Sequence, residues 1–324
     1  HRARRVPVRR GAGAMSAPPR APSDASADAC RWSARLAVVR AVTFGYAAAW
    51  LLIRGRYVWD VTRLPDRRYQ PIGVLAWFDG RPSQALVVAV ALGTLTASIL
   101  AAAGHRAAVA APAAALGMLI VATYTSSFGQ IFHTEHLLVV HLVVLAVHAV
   151  ASRSADDTRW TARWALATLA AATAATYVVA GVAKLRMSGL AWITGDVLRN
   201  WVATDNLRKL LLEDPYSRAG GELAGVSWVW TPIAVATLAV ELGAPVILLS
   251  WWGGRRGRFV AAGWAAAAWG FHVGVLALMA ISFPYQLSGV AYAFVLPVER
   301  LAPVGLAVLR RLRPYTRAAW ERSW

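Results

Sequence analysis

The sequence predicts an all-α fold: a polytopic integral membrane helix bundle of about eight transmembrane helices with two outer interfacial loops. Composition is the first observation behind that prediction. The chain is 58% hydrophobic and 15% charged, with a mean hydropathy of +0.47, whereas a soluble domain carries about 25% charged residues. The second is patterning: apolar runs recur along nearly the whole length, so the chain reads as one bundle rather than a soluble domain with an anchor. The third is where the charge lies. The formal charge of +18 resides in short arginine clusters between the apolar runs and at both ends. That placement fits topology signals and contacts with anionic membrane lipids, and it excludes nucleic acid as a partner.

Taken in order, residues 1–30 are rich in Arg, Ala, Pro and Ser without an apolar run, so a disordered N-terminal tail is expected there. Met15 offers an alternative start, which would make residues 1–14 an upstream extension. No apolar stretch precedes a small-residue cleavage site, so no removable signal peptide is expected. The membrane domain is expected over 31–302, followed by a basic C-terminal tail at 303–324. Apolar windows place helices near 35–53, 84–104, 107–127, 131–151, 162–183, 231–252, 258–280 and 283–298. Only His105-Arg106 separates the second from the third, which predicts a tight hairpin. The single cysteine, Cys30, excludes an internal disulfide and a cysteine-based metal site.

Arginine placement orients the bundle. With a cytoplasmic N-terminus, the cytoplasmic segments carry Arg106, Arg153, Arg159, Arg255, Arg256 and Arg258 besides the two tails. The short opposite loops near 128–131 and 281–283 carry no Lys or Arg. The positive-inside rule therefore predicts a plasma (inner) membrane protein with both termini cytoplasmic. Two longer connections, about 54–83 and 184–230, then lie outside. Their aromatic and apolar content suits interfacial helices or caps over the outer mouth.

Ionisable residues inside apolar spans mark candidate functional groups, because each costs a few kcal/mol at the bilayer centre. Four of the seven histidines, His133, His136, His141 and His148, fall in and around the fourth span. Their spacings of 3, 5 and 7 lack a companion ligand cluster, so no metal is predicted. His141 and His148 fit neutral histidines bonded to neighbouring helices. Apart from Glu135 at the opening of the fourth span, Glu241 is the only acid within a predicted span and must be paired or protonated there. His272 is the only ionisable residue in the interior of the seventh. Arg40 lies near the cytoplasmic end of the first span and can snorkel.

Lys184 is one of two lysines against 32 arginines, and it ends an uncharged run of nineteen residues after Trp164. Lysine can lose its proton when desolvated and arginine cannot, so Lys184 reads either as a snorkelling anchor or as a base. The predicted topology brings it to the same outer level as His133, His136 and His272.

At these residues the chain resembles a known family. The block Tyr177-Val-Val-Ala-Gly-Val-Ala-Lys184-Leu185, followed by Gly189, Trp192 and Gly195, is similar to the signature of HTTM (horizontally transferred transmembrane) proteins. Their membrane domain is related to vitamin K-dependent gamma-carboxylase. Residues 271–285 (FHVGVLALMAISFPY), Glu241-Leu-Gly-Ala-Pro245 and Tyr69-Gln70-Pro71-Ile72-Gly73 resemble three further blocks. The resemblance implies that Lys184 is the base that deprotonates a reduced, vitamin K-like quinone, assisted by His136. His133, His272, Glu241, Tyr177 and Trp192 would line the substrate site. In that family dioxygen converts the deprotonated quinol to an alkoxide base, which takes a proton from glutamate before carbon dioxide adds. This chain lacks the carboxylase's large lumenal region, and Ala183-Lys184 stands where the carboxylase has paired lysines. Protein carboxylation therefore does not carry over; a quinone-sized pocket beside a lysine base does. The alternative classes are a transporter or lipid-binding membrane protein, and a catalytically silent scaffold. The sequence shows no internal repeat of the transporter kind.

Overall fold

A computed structural model describes residues 24–129, 133–153, 158–252 and 254–301. These residues form helices and connecting turns, with no strand among them. Eleven α-helical segments follow in order: α1 (Asp24–Val61), α2 (Gln84–Ala102), α3 (Ala107–Thr125), α4 (His136–Ala151), α5 (Thr158–Ser188), α6 (Asp196–Leu211), α7 (Arg218–Leu223), α8 (Trp230–Leu242), α9 (Leu249–Trp252), α10 (Gly254–Met279) and α11 (Pro284–Leu287).

Five helical stretches are long and apolar enough to cross a membrane: Cys30–Val61, Gln84–Ala102, Ala107–Thr125, Thr161–Trp192 and Gly254–Met279. A sixth crossing is available only as a bent pair, Ser227–Leu242 with Ala244–Trp251, which turn 43° at the break. Gly243 and Pro245 cause it: glycine stiffens the helix least, and proline removes a backbone donor and clashes with the preceding turn. Helix α4 is shorter, an apolar helix of 16 residues, or ~24 Å.

The eighth expected helix departs from the prediction. Residues 283–298 do not form one helix; α11 gives way to a 3-10 turn at Val290–Tyr292 and another at Val298–Leu301. Backbone bonds three residues apart, such as Tyr292 N to Gly289 O and Val295 N to Tyr292 O, hold the stretch together. Yet it is deeply buried, with Tyr285, Ala291, Tyr292, Phe294 and Val295 all in the core. Irregular backbone survives at such depth only where protein surrounds it. The looser rise of ~2 Å per residue also lets a short segment span as much as a longer α-helix.

Two further boundaries move. Helix α1 begins at Asp24, so the last seven residues of the expected disordered tail are helical, while 1–23 and the tail at 303–324 lie outside the described residues. It also runs on to Val61, past the expected end at residue 53. The hairpin between α2 and α3 forms as expected, with Gly104 and Arg106 both in the left-handed region.

The chain's two described ends meet at one end of the bundle. Arg35 of α1 donates from Nε and Nη2 to the two carboxylate oxygens of Glu299, each at 2.8 Å. This is called the termini end here, and the opposite one the loop end. At the loop end both long connections are folded. In the first, Arg81 donates to the carbonyls of Thr62 and Leu64, to Asp66 Oδ1 and to the Tyr124 hydroxyl, at 2.5–3.1 Å. In the second, α6 and α7 cap the end of α10. Ser217 Oγ donates to Ala277 O at 2.5 Å, Asn206 Nδ2 to Leu278 O at 2.8 Å, and Lys209 Nζ to Met279 O at 2.5 Å. The last carbonyls of a helix have no partner within it, so these three side chains satisfy what α10 cannot.

Candidate functional site

Helices α5 and α8 cross where Gly181 faces Glu241 and Leu242. A methyl group on Gly181 would meet Leu242 Cδ2 at 2.8 Å and Glu241 Cβ at 3.0 Å. The missing side chain therefore sets how closely the two backbones approach. One turn further along α5, Lys184 donates from Nζ to Glu241 Oε1 in a salt bridge. Glu241 is buried and the Lys184 side chain is 24% exposed. The ammonium also lies 5.5 Å from the Trp192 ring centroid, within cation–π range. Trp192 belongs to the 3-10 turn Gly189–Trp192 that follows α5, so the connection after α5 lays its indole against the ammonium.

This settles how Lys184 sits. The amine is turned inward to a carboxylate rather than out toward the surface. It also answers the requirement on Glu241, which is paired. The pairing joins two residues that the sequence flagged separately. Removed from water, such a pair is held by mutual attraction and by what satisfies the remaining oxygen. Glu241 Oε2 is buried without a partner.

Beneath the pair lies a second polar group. The Tyr177 hydroxyl, two turns before Lys184 on α5, bonds His272 Nε2 on α10 at 2.7 Å and the Tyr292 hydroxyl at 2.6 Å. Tyr292 comes from the irregular 284–301 stretch, which is why no sequence pattern pointed to it. His272 Nδ1 is buried and unpartnered. Phe283 stacks between His272 and His133, with ring centroids 4.7 Å and 5.3 Å away. His133 and His136 stand 6.5 Å apart, both exposed at the start of α4. Lys184 is within electrostatic reach of His133. The structure thus pairs Lys184 with Glu241 beside Trp192, joins Tyr177 to His272 and Tyr292 in a second group two turns away on α5, and sets His133 across Phe283 from His272, with His136 exposed.

The other two histidines of the fourth span divide. His141 is buried and fully bonded, Nδ1 to the Tyr285 hydroxyl at 2.8 Å and Nε2 to Thr173 Oγ1 at 2.9 Å. It serves as a cross-brace among α4, α5 and α11. His148 has no such bond, and its Nε2 is buried and unpartnered. Glu135 turns away from the histidines, taking Trp50 Nε1 at 3.2 Å and the Thr134 hydroxyl at 2.5 Å. Among the described residues no group of three metal-ligating side chains converges.

The two best-formed concavities lie elsewhere. One of ~350 Å³ opens between α6 and α7, lined by Asn206, Leu207, Leu210, Tyr216 and Arg218 among others. The other, ~120 Å³, lies between α1 and α2 beside Trp59. Neither concavity is lined by Lys184, Glu241, Tyr177 or His272. No family model, curated protein or solved structure matches the chain.

Proposed function

We propose that this chain is an integral membrane protein of the HTTM kind whose Lys184–Glu241 pair transfers protons to and from a lipid-soluble acid, with a reduced quinone as the substrate class. The single observation that carries this reading is the pair itself: a part-buried lysine against a buried carboxylate, with a tyrosine–histidine group two helical turns away. The sequence resemblance to the gamma-carboxylase membrane domain supports the same role, as does the apolar length of the helices. In the membrane the loop end would face outward and both termini the cytoplasm, with lipid as the surrounding partner.

The chemistry balances within the residues present. In the resting pair Lys184 is an ammonium and Glu241 a carboxylate. Moving one proton from Nζ to Glu241 leaves a free amine and a neutral acid. The amine then takes the hydroxyl proton of the bound quinol, leaving a quinolate beside the regenerated ammonium. Trp192, with its ring centroid 5.5 Å from the ammonium, would shield that ion pair once a ligand covers the part-exposed amine. Tyr177 and His272 are placed to hold a second oxygen of the ligand, His272 through its unpartnered Nδ1.

The test is oxygen uptake by purified protein in proteoliposomes given a reduced naphthoquinone. Lys184→Arg keeps the charge but cannot supply a free amine, so the rate should fall by about 10²–10⁴-fold, the usual value of a general base. An unchanged rate in that variant removes Lys184 from the chemistry. A second reading, proton-coupled transport, draws on the 43° break that follows Glu241, since discontinuous helices line transporter sites. It requires proton-dependent flux without quinol turnover, lost in Glu241→Gln.

A further inference from the structure

Arg40 reaches from α1 to the end of the bundle, as a snorkelling side chain does. It is half-buried on α1 at the termini end, with its guanidinium against the α2–α3 turn. A methyl group on Gly104 would come within 2.6 Å of Arg40 Nη2. Gly104 has φ of 74°, so the turn needs glycine for its backbone and for the room it leaves the guanidinium. His148 of α4 lies within electrostatic reach. Arg40 Nε and His148 Nε2 are both buried and lack a hydrogen-bond partner.

Among the described residues no carboxylate pairs with Arg40. Among the described side chains the only acid at the termini end is Glu299, and both its oxygens are held by Arg35. Arg106 and Arg153 stand exposed on the adjoining turns. A partly buried guanidinium without a counter-charge costs several kcal/mol, and its planar fork matches phosphate oxygens. On the two helices that pack against α1, Ile99 and Leu100 of α2 and Val147 and Val150 of α4 are exposed. A basic notch bordered by outward apolar side chains is the form in which membrane proteins take acidic lipid headgroups.

We infer that Arg40 and His148 bind the phosphate of an anionic phospholipid, seated between α1, α4 and the α2–α3 turn with its acyl chains along Ile99, Leu100, Val147 and Val150. This rests on the membrane reading above and is independent of the Lys184 chemistry, whose rate assay it leaves untouched.

The full chain, reconstituted in nanodiscs of phosphatidylcholine with and without phosphatidylglycerol, provides the test. Wild type should retain phosphatidylglycerol through native mass spectrometry and gain thermal stability from it. Arg40→Gln should weaken that retention by roughly tenfold or more, the value of a lost bidentate charge contact, and gain no stability. Retention equal to wild type overturns the proposal. So does a variant that is destabilised in phosphatidylcholine alone yet still gains from the anionic lipid, since Arg40 would then be structural. Millimolar inorganic phosphate should not reproduce the stabilisation; if it does, the site takes a free anion and the lipid assignment falls. Should Arg40→Gln not fold, His148→Gln decides by the same retention measurement, with unaltered retention counting against the site.

Discussion

At the scale of single residues, the Lys184–Glu241 contact makes the sharpest prediction. Removing one partner strands the other charge, so Lys184→Met and Glu241→Leu should each destabilise the protein by about 3–5 kcal/mol. The double variant should recover most of that loss, read as a double-mutant cycle from thermal melts in detergent. Additive losses would mean the two groups do not depend on each other. Gly181 is the second test at this scale. Gly181→Val places branched carbons against Leu242 and Glu241 Cβ, forcing α5 and α8 apart. It should cost about 1–3 kcal/mol and lower quinol-dependent turnover together with it. The sequence exposed both charged residues, because each is an exception in an apolar run. It did not expose their partnership, because the register of α5 against α8 depends on how the 41 residues between Ser188 and Trp230 fold. Tyr292 was invisible for a related reason: a tyrosine in an apolar stretch carries no signal of what its hydroxyl meets.

Among the elements, the cap on α10 is the most exposed to perturbation. Lys209 bonds Met279 O and Asp205 Oδ2, and Asn206 bridges Leu278 O and the Ser217 amide. Asn206→Ala should cost about 1–3 kcal/mol by leaving buried groups unpaired. It should also speed hydrogen exchange in the last turn of α10 while sparing α2 and α3. Burial on its own would raise the Asp205 carboxyl, but the hydrogen bonds from Lys209 and Arg208 outweigh it and hold the group below its ordinary value. A depressed acid stabilises the fold fully above its unfolded value, about 3.9, and loses that contribution as pH falls through the lower folded value. The α6–α7 segment should therefore loosen only in strong acid, and Asp205→Asn should remove that acid step. Element existence was legible wherever an apolar run continued for a full crossing, as in α2, α3 and α10. It failed at 283–298, where Pro284, Gly289 and Pro297 interrupt the run and the same composition serves a sequence of 3-10 turns as readily as an α-helix.

For the whole molecule, the folded loop end and the meeting of both chain ends around the Arg35–Glu299 bridge define an asymmetric body. Arginine counting in the short loops predicts that the termini end faces the cytoplasm. Cys30 is exposed at that end and is the chain's only cysteine, so the unaltered protein is its own reporter. A membrane-impermeant maleimide should leave Cys30 unlabelled on intact cells and label it in inverted vesicles; the reverse pattern would invert the proposed orientation. The scarcity of lysine has a further practical consequence. Both side-chain amines of the chain are engaged, Lys184 with Glu241 and Lys209 with Asp205 and Met279. An amine-reactive acylating probe therefore has two side-chain addresses, one at the α5–α8 crossing and one within the cap on α10. Acylation at Lys209 alone would time the loosening of the cap, and acylation at Lys184 would record the moment the core site becomes open to solutes.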